Sequence, residues 1–163
     1  MNNQYTELDW SKISWRKASK AYKLYYDNKP LILETPICDI PNNVEQSNNK
    51  QILVVCFGDK TNETHNFIAQ IKGLDAHIQD TKLYDTKANV LSRSMRDSNK
   101  GHTMKLHYKD VDVCHEFNGV KQICTITEFK NRRAKLQIEL SLLWCFSGMY
   151  GISWNLREIC LVD

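Results

Sequence analysis

Apolar and polar residues alternate with period two over most of this chain, and a helical period replaces the alternation once, in the middle. From Lys12 to Lys17, Ile13 and Trp15 fall on one side and Lys12, Ser14 and Arg16 on the other, the pattern of a half-buried strand. "AYKLYYDN" repeats it, with Tyr22, Leu24 and Tyr26 opposing Lys23 and Tyr25. Residues 31–40 predict a third strand, which Pro36 confines to an edge or a bulge. "QILVVCFG" is a continuous apolar run of strand length, as expected for a strand buried on both faces. Then Phe67, Ile71, Leu74 and Ile78 recur at spacings of four, three and four, which predicts a helix over about residues 63–83. Asn62 or Thr64 would cap it, and Gly73 is a tolerated weakness within it.

Residues 85–101 are polar and basic, and predict a short helical turn or a mobile loop. Alternation resumes in "TMKLHYKDVDVCHEF", turns at Asn118-Gly119 and returns through "VKQICTITEF", a strong hairpin signal. Near the C-terminus, Leu136, Ile138, Leu140, Leu142 and Trp144 alternate with Lys135, Gln137, Glu139, Ser141 and Leu143 ahead of a corner at Ser147-Gly148. Beyond that corner, Ile152, Trp154 and Leu156 alternate again. The glycines there lead into a strand, whereas a phosphate cradle needs glycines opening onto a helix N-terminus. About eight strands and one helix predict a mainly β domain, a small closed or partly closed barrel with the helix plugging one end.

A length of 163 residues suits one domain, and 42% apolar with 25% charged residues excludes disorder. No apolar run approaches the roughly 20 residues that cross a bilayer, and the N-terminus lacks a leader pattern. The six cysteines are scattered, five of them in apolar strand-like segments, and predict free thiols in a reducing, intracellular setting. Net charge is only +3, but it is clustered. Residues 1–30 carry six basic against three acidic side chains, residues 82–110 seven against three, and residues 121–135 five against one, while residues 31–80 are acidic. Folding could gather the basic tracts onto one face.

Signals for catalysis are weak. There is no G-x-S-x-G elbow and no C-x-x-C pair, and Cys114 and His115 are strand neighbours that point to opposite faces. His102 and His107 are five apart, the wrong parity for shared metal ligation on a strand. Glu128 and Glu139 read as a solvated sheet surface rather than an acid/base couple. No catalytic residue, metal or cofactor is therefore expected. Aromatic residues do interleave with basic ones, the combination that single-stranded nucleic acid needs, with cations along phosphates and rings under unpaired bases. The candidate phosphate contacts are Arg16, Lys17, Lys20, Lys23, Arg93, Arg96, Lys100, Lys105, Arg132, Arg133 and Lys135, and the candidate stacking rings are Tyr25, Tyr26, Tyr108 and Phe129. Trp15, Trp144 and Trp154 are expected in the core.

"PLILETPICDIP" before "QILVVCFG", the helix "NFIAQIKGLDAHI" and the closing "LSLLWCFSGMYGISWNLREICLV" together resemble the single-stranded-DNA-binding proteins of nucleocytoplasmic large DNA viruses, related to those of certain podophages. Within that family the chain is most similar to an asfarvirus-type (African swine fever virus type) member. The resemblance covers most of residues 10–162, and the closing hairpin is its most specific part. It implies an OB-fold-like Greek-key β-barrel spanning residues 1–163. It also implies sequence-tolerant binding of single-stranded DNA in viral replication, recombination or repair, without catalysis, at a replication site in the host cytoplasm. The partners expected are single-stranded DNA, with RNA as the alternative strand, replication proteins and a second copy of the chain, and no membrane. Related phage and bacterial proteins often end in an acidic, partner-recruiting tail; this sequence stops after a strand, as a tailless protein or the core fragment of a longer one would. A second reading is a protein-interaction barrel that docks a replication or scaffold partner through an exposed sheet edge near Pro36.

Overall fold

The computed structural model describes residues 8–81 and 90–162. After a short 3-10 turn at Trp10–Lys12 come β1 (Ile13–Ala18), β2 (Ala21–Tyr26), β3 (Ile32–Glu34), β4 (Cys38–Ile40), β5 (Glu45–Ser47) and β6 (Lys50–Phe57). The helix α1 (Asn62–Thr81) follows, then β7 (Val90–Ser92), β8 (Met95–Ser98), β9 (Gly101–Phe117), β10 (Val120–Ile123), β11 (Arg132–Phe146) and β12 (Met149–Val162). The mainly β expectation holds, with twelve strands among the described residues rather than about eight: six have three or four residues, while β9, β11 and β12 run for 17, 15 and 14.

Five strands close a barrel. β4 pairs with β6, β6 with β9, β9 with β12, β12 with β11, and β11 returns to β4. Only the β9–β12 pairing in this ring is parallel. The β1–β2 hairpin extends the sheet outward, because β2 pairs with β11 at Lys23↔Leu142 and Leu143↔Tyr22. Alternation sends Leu53, Val55 and Phe57 of β6, Met104 and Leu106 of β9, and Trp154, Leu156, Ile159 and Leu161 of β12 into one core. Each such side chain contributes about 1.5–3 kcal/mol by leaving water.

The helix packs its predicted stripe of Phe67, Ile71, Leu74 and Ile78 on that core, with the Phe67 ring centroid 5.0 Å from that of Phe57. Its cap is Thr61 rather than Asn62 or Thr64: the Thr61 hydroxyl accepts from the Thr64 N–H at 3.1 Å. Trp10 lies over Gly73, where a Cβ would sit 3.2 Å from the indole nitrogen. The predicted end of the helix at Leu83 lies outside the described residues, as does the start of the 85–101 loop.

Several expectations change. Residues 90–101 are not a helical turn: they supply β7, parallel to β12, and β8, antiparallel to β9. "VKQICTITEF" forms a strand only over Val120–Ile123. Pro36 is buried between β3 and β4; β4 is paired on both sides, by β6 and β11, whereas among the described residues β3 is paired only with β11, so the sheet edge near Pro36 is that of β3. The register of β11 slips between Leu140 and Leu143. This bulge turns Leu143 into the core and Leu142 and Trp144 outward, reversing the continuous alternation from Leu136 to Trp144. Trp154 is 1% exposed as expected, whereas Trp15 is 40% exposed and Trp144 is half-buried on the outside.

Candidate nucleic-acid interface

The outer face of the barrel can be followed strand by strand. Val54 of β6 pairs with Lys105 of β9, and Ile52 with His107. His107 in turn pairs with Asn155 of β12, and two and four residues back along β12 lie Ser153 and Gly151. Gly151 is the partner of Trp144. A Cβ there would meet the Trp144 ring at 2.8 Å and the Ser92 carbonyl at 2.9 Å, so glycine lets the indole lie flat across β12.

Trp144, Ser153, Lys105, His107, Arg93 and Arg96 share a cleft of about 180 Å³ on this face. A wider depression of about 740 Å³ adjoins it through His107 and is bordered by Lys50, Tyr108, Lys109, Asn155 and Arg157. One strip thus runs from Lys50 and Lys109 at one end to Arg93 and Trp144 at the other. Past Trp144 the same face carries Phe146, 78% exposed, with its partner Met149 and, beside that, Val90.

Charge along the strip is mostly positive, with Asp110 in the lining of the wider depression. Among the described residues no carboxylate forms an ion pair with Arg93, Arg96 or Lys105, and all three are exposed. His107 is held below its ordinary pKa, first by partial burial and then by the charge of Lys50, so it is neutral near pH 7. Arg157 is different: it bonds to Glu139, which is buried beneath it rather than solvated as expected.

The arginine-bearing turn is pinned from behind. The Ser94 N–H donates to Asp75 Oδ2 and the Ser94 hydroxyl to Asp75 Oδ1, both at 2.8 Å, while the Trp154 indole N–H donates to Ser94 Oγ at 3.2 Å. Asp75, on α1, is pushed above its ordinary pKa by burial, against the lowering effect of the two Ser94 bonds and of Arg93. Arg93 in the turn and Arg96 at the start of β8 therefore project from a segment that Ser94 holds in place.

The predicted contacts divide. Arg93, Arg96 and Lys105 meet in the cleft, and Tyr108 borders the wider depression, half-buried and packed on Phe129 at 6.2 Å between ring centroids. Arg16, Lys23 and Tyr25 gather on the β1–β2 hairpin, with Lys17 and Lys20 at its exposed tip. Tyr26 packs edge-on against Trp10, and its hydroxyl accepts from the Asp9 N–H at 3.1 Å, which suits a structural side chain. Phe129 presents no face for stacking: it is 1% exposed, held inward because Asn43 Oδ1 accepts from the N–H groups of Phe129 and Lys130 at 2.7 and 2.9 Å. Lys100 sits in the β8–β9 turn, away from the cleft lining. The third basic tract does not join the strip. Arg133 is bonded to Asp39 at 3.1 Å and to Asp59, and Lys135 lines a depression with Glu34, Glu116 and Glu158. Arg132 pairs with Ile40 at the β4–β11 seam.

Trp144, Phe146, His107, Asn155, Lys50 and Lys109 were missed as candidates. The β11 bulge hid the first two, and the others are single polar residues that only the β6–β9–β12 register brings together. Six free cysteines are found, four of them buried, and no group of metal-ligating side chains among the described residues.

Taken in order, the five barrel strands β4, β6, β9, β11 and β12 close as first, second, third, fifth, fourth, the third and fifth being parallel. This is the oligonucleotide-binding barrel, whose second and third strands, with the loops after the first and fourth, form the usual ligand face. The strip described above lies on that face. No protein-family model and no curated sequence matches the chain. Among solved structures it is similar to gp2.5, a single-stranded DNA binding protein encoded by bacteriophage T7 (TM-score 0.54, 12% identity, covering 81% of this chain and 91% of that one). It is also similar to the single-stranded DNA-binding protein from bacteriophage Enc34, as a C-terminal truncation (0.54, 11%, 93% and 95%) and in complex with ssDNA (0.51, 12%, 92% and 94%). At these identities the likeness is one of fold.

Proposed function

We propose that this chain binds single-stranded DNA without strong sequence preference, through the outer face of β6, β9 and β12, and performs no catalysis. The observation that carries the reading is the cluster of Arg93, Arg96 and Lys105, none ion-paired to a carboxylate among the described residues, around an outward Trp144. Cations spaced along one strip attract phosphates and release their counterions, and the indole offers a surface under an unstacked base. A duplex hides its base faces, which favours the single strand. Support also comes from the phage proteins of the same fold, which are named for single-stranded DNA binding.

The role is that of a replication, recombination or repair protein in a viral cycle, acting where the DNA is copied in the host cytoplasm. RNA is the alternative strand, and replication proteins and further copies of the chain are candidate partners. The assignment to nucleocytoplasmic large DNA viruses of asfarvirus type rests on the closing hairpin. The docking alternative near Pro36 would use the β3 edge, since the proline itself is buried and β4 is paired on both edges.

Tryptophan fluorescence tests the groove directly. Titration with oligothymidylate should quench the wild-type signal, and most of that quench should vanish in Trp144→Phe while binding persists. An equal quench in the variant would place the bases elsewhere.

A further inference from the structure

The β1–β2 hairpin carries a feature that the barrel groove does not require. Arg16 and Lys23 are register partners, two cations directly across an antiparallel pair, an arrangement that is ordinarily unfavourable. Both lie over the ring of Tyr25, the Arg16 guanidinium carbon at 5.2 Å and the Lys23 Nζ at 5.6 Å from its centroid. The ring's negative face offsets part of the repulsion. It leaves the N–H groups without an anion, for no carboxylate among the described residues is ion-paired with either side chain.

The position of this pair relates it to the groove. Lys23 is the partner of Leu142 on β11, and the bulge turns Leu142 and Trp144 to the same outer face. With strands about 4.8 Å apart and about 3.4 Å per residue, the Lys23 and Trp144 backbones are roughly 8 Å apart. A strand leaving the groove over Trp144 would therefore meet the cation pair next.

We infer that Arg16 and Lys23, held on the Tyr25 ring, form a second phosphate-binding subsite that takes the backbone of a single strand running on from the barrel groove. Tyr25 is thus a support for two cations rather than a platform for a base. The inference rests on the groove reading and assigns the hairpin a separate function within it: extending the length of strand held.

A length ladder of labelled oligothymidylates, titrated by anisotropy at two salt concentrations, tests it with the wild type and an Arg16→Gln, Lys23→Gln double variant. On the shortest oligonucleotides that bind, the two proteins should match, which also shows that the variant folds. On longer ones the wild type should gain affinity that the variant lacks. There, two lost phosphate contacts should lower the salt slope by about 1.4, so a fourfold rise in salt costs the wild type about sevenfold more affinity than the variant. Equal curves at every length would overturn the subsite while leaving the groove intact. An equal loss at every length would also overturn it, by making the hairpin part of the minimal site. Failure of the wild type to bind any oligonucleotide would instead remove the groove reading, and the subsite with it.

Discussion

Ser94→Ala is the most informative single substitution, because one hydroxyl ties helix, turn and barrel together. In the native protein Ser94 Oγ donates to Asp75 Oδ1 at 2.8 Å and accepts from Trp154 Nε1 at 3.2 Å, with Asp75 5% and Trp154 1% exposed. Loss of a hydrogen bond to a charged group costs about 1.5–3 kcal/mol, and a buried N–H left without an acceptor costs about 1–3 kcal/mol. The two losses share one atom and overlap, while the Ser94 N–H bond to Asp75 Oδ2 survives, so a net loss of about 3 kcal/mol is expected. Urea unfolding should show a lower midpoint with an unchanged slope. The pH dependence adds a second signature. Burial raises the Asp75 pKa above 3.8, so its favourable contribution is full below 3.8 and is lost as pH rises through the raised value. Removing a hydroxyl that lowers this pKa should move that loss to higher pH. Because Ser94 lies between Arg93 and Arg96, affinity for single-stranded DNA should fall as well. A stability loss under about 0.5 kcal/mol, with binding unchanged, would refute the pinning role.

Trp144→Ala should weaken single-strand binding by about 1–3 kcal/mol with little loss of stability, whereas Trp154→Ala should cost about 3–5 kcal/mol of stability; anisotropy and thermal melts separate the two. Arg93→Gln with Arg96→Gln should reduce the salt slope of binding by about 1.4, while Arg133→Gln, which breaks exposed pairs with Asp39 and Asp59, should leave that slope unchanged. His107, held below 6.5, should gain charge only in acid, so affinity should rise as pH falls below that value and His107→Gln should abolish the rise. The same group contributes stability that is full above 6.5 and is lost as pH falls through its lower folded value. Gly101→Ala, at φ +132 with the Phe57 carbonyl 2.5 Å from the added Cβ, should destabilise by about 2 kcal/mol or more, read from the urea midpoint.

Periodicity made most of the barrel legible. The apolar run at Ile52–Phe57 is a barrel strand, the Phe67–Ile78 stripe is the helix face, and Ser147-Gly148 turns one long strand into the next. What periodicity could not show was a change of phase. Across the β11 bulge the alternation continues in sequence while the faces exchange in space, and so Trp144 read as core. Short strands were missed for another reason: β7 and β8, of three and four residues, are too short to show a period and exist because β12 and β9 offer them backbone partners. Composition put forward Arg93, Arg96 and Lys105, which meet in one cleft, together with Arg133 and Lys135, which face carboxylates, since a basic tract looks the same whether or not distant carboxylates fold against it. Phe129 beside Lys130 suggested an exposed ring, and only the reach of Asn43 across 86 residues turns it inward.

The central claim is tested most directly by anisotropy of labelled single-stranded and double-stranded oligonucleotides of the same sequence, titrated across a salt series. The account predicts binding to the single strand over the duplex, similar for unrelated sequences and weakening linearly on a log–log salt plot. Equal affinity for duplex and single strand, or no binding at low salt, would contradict it.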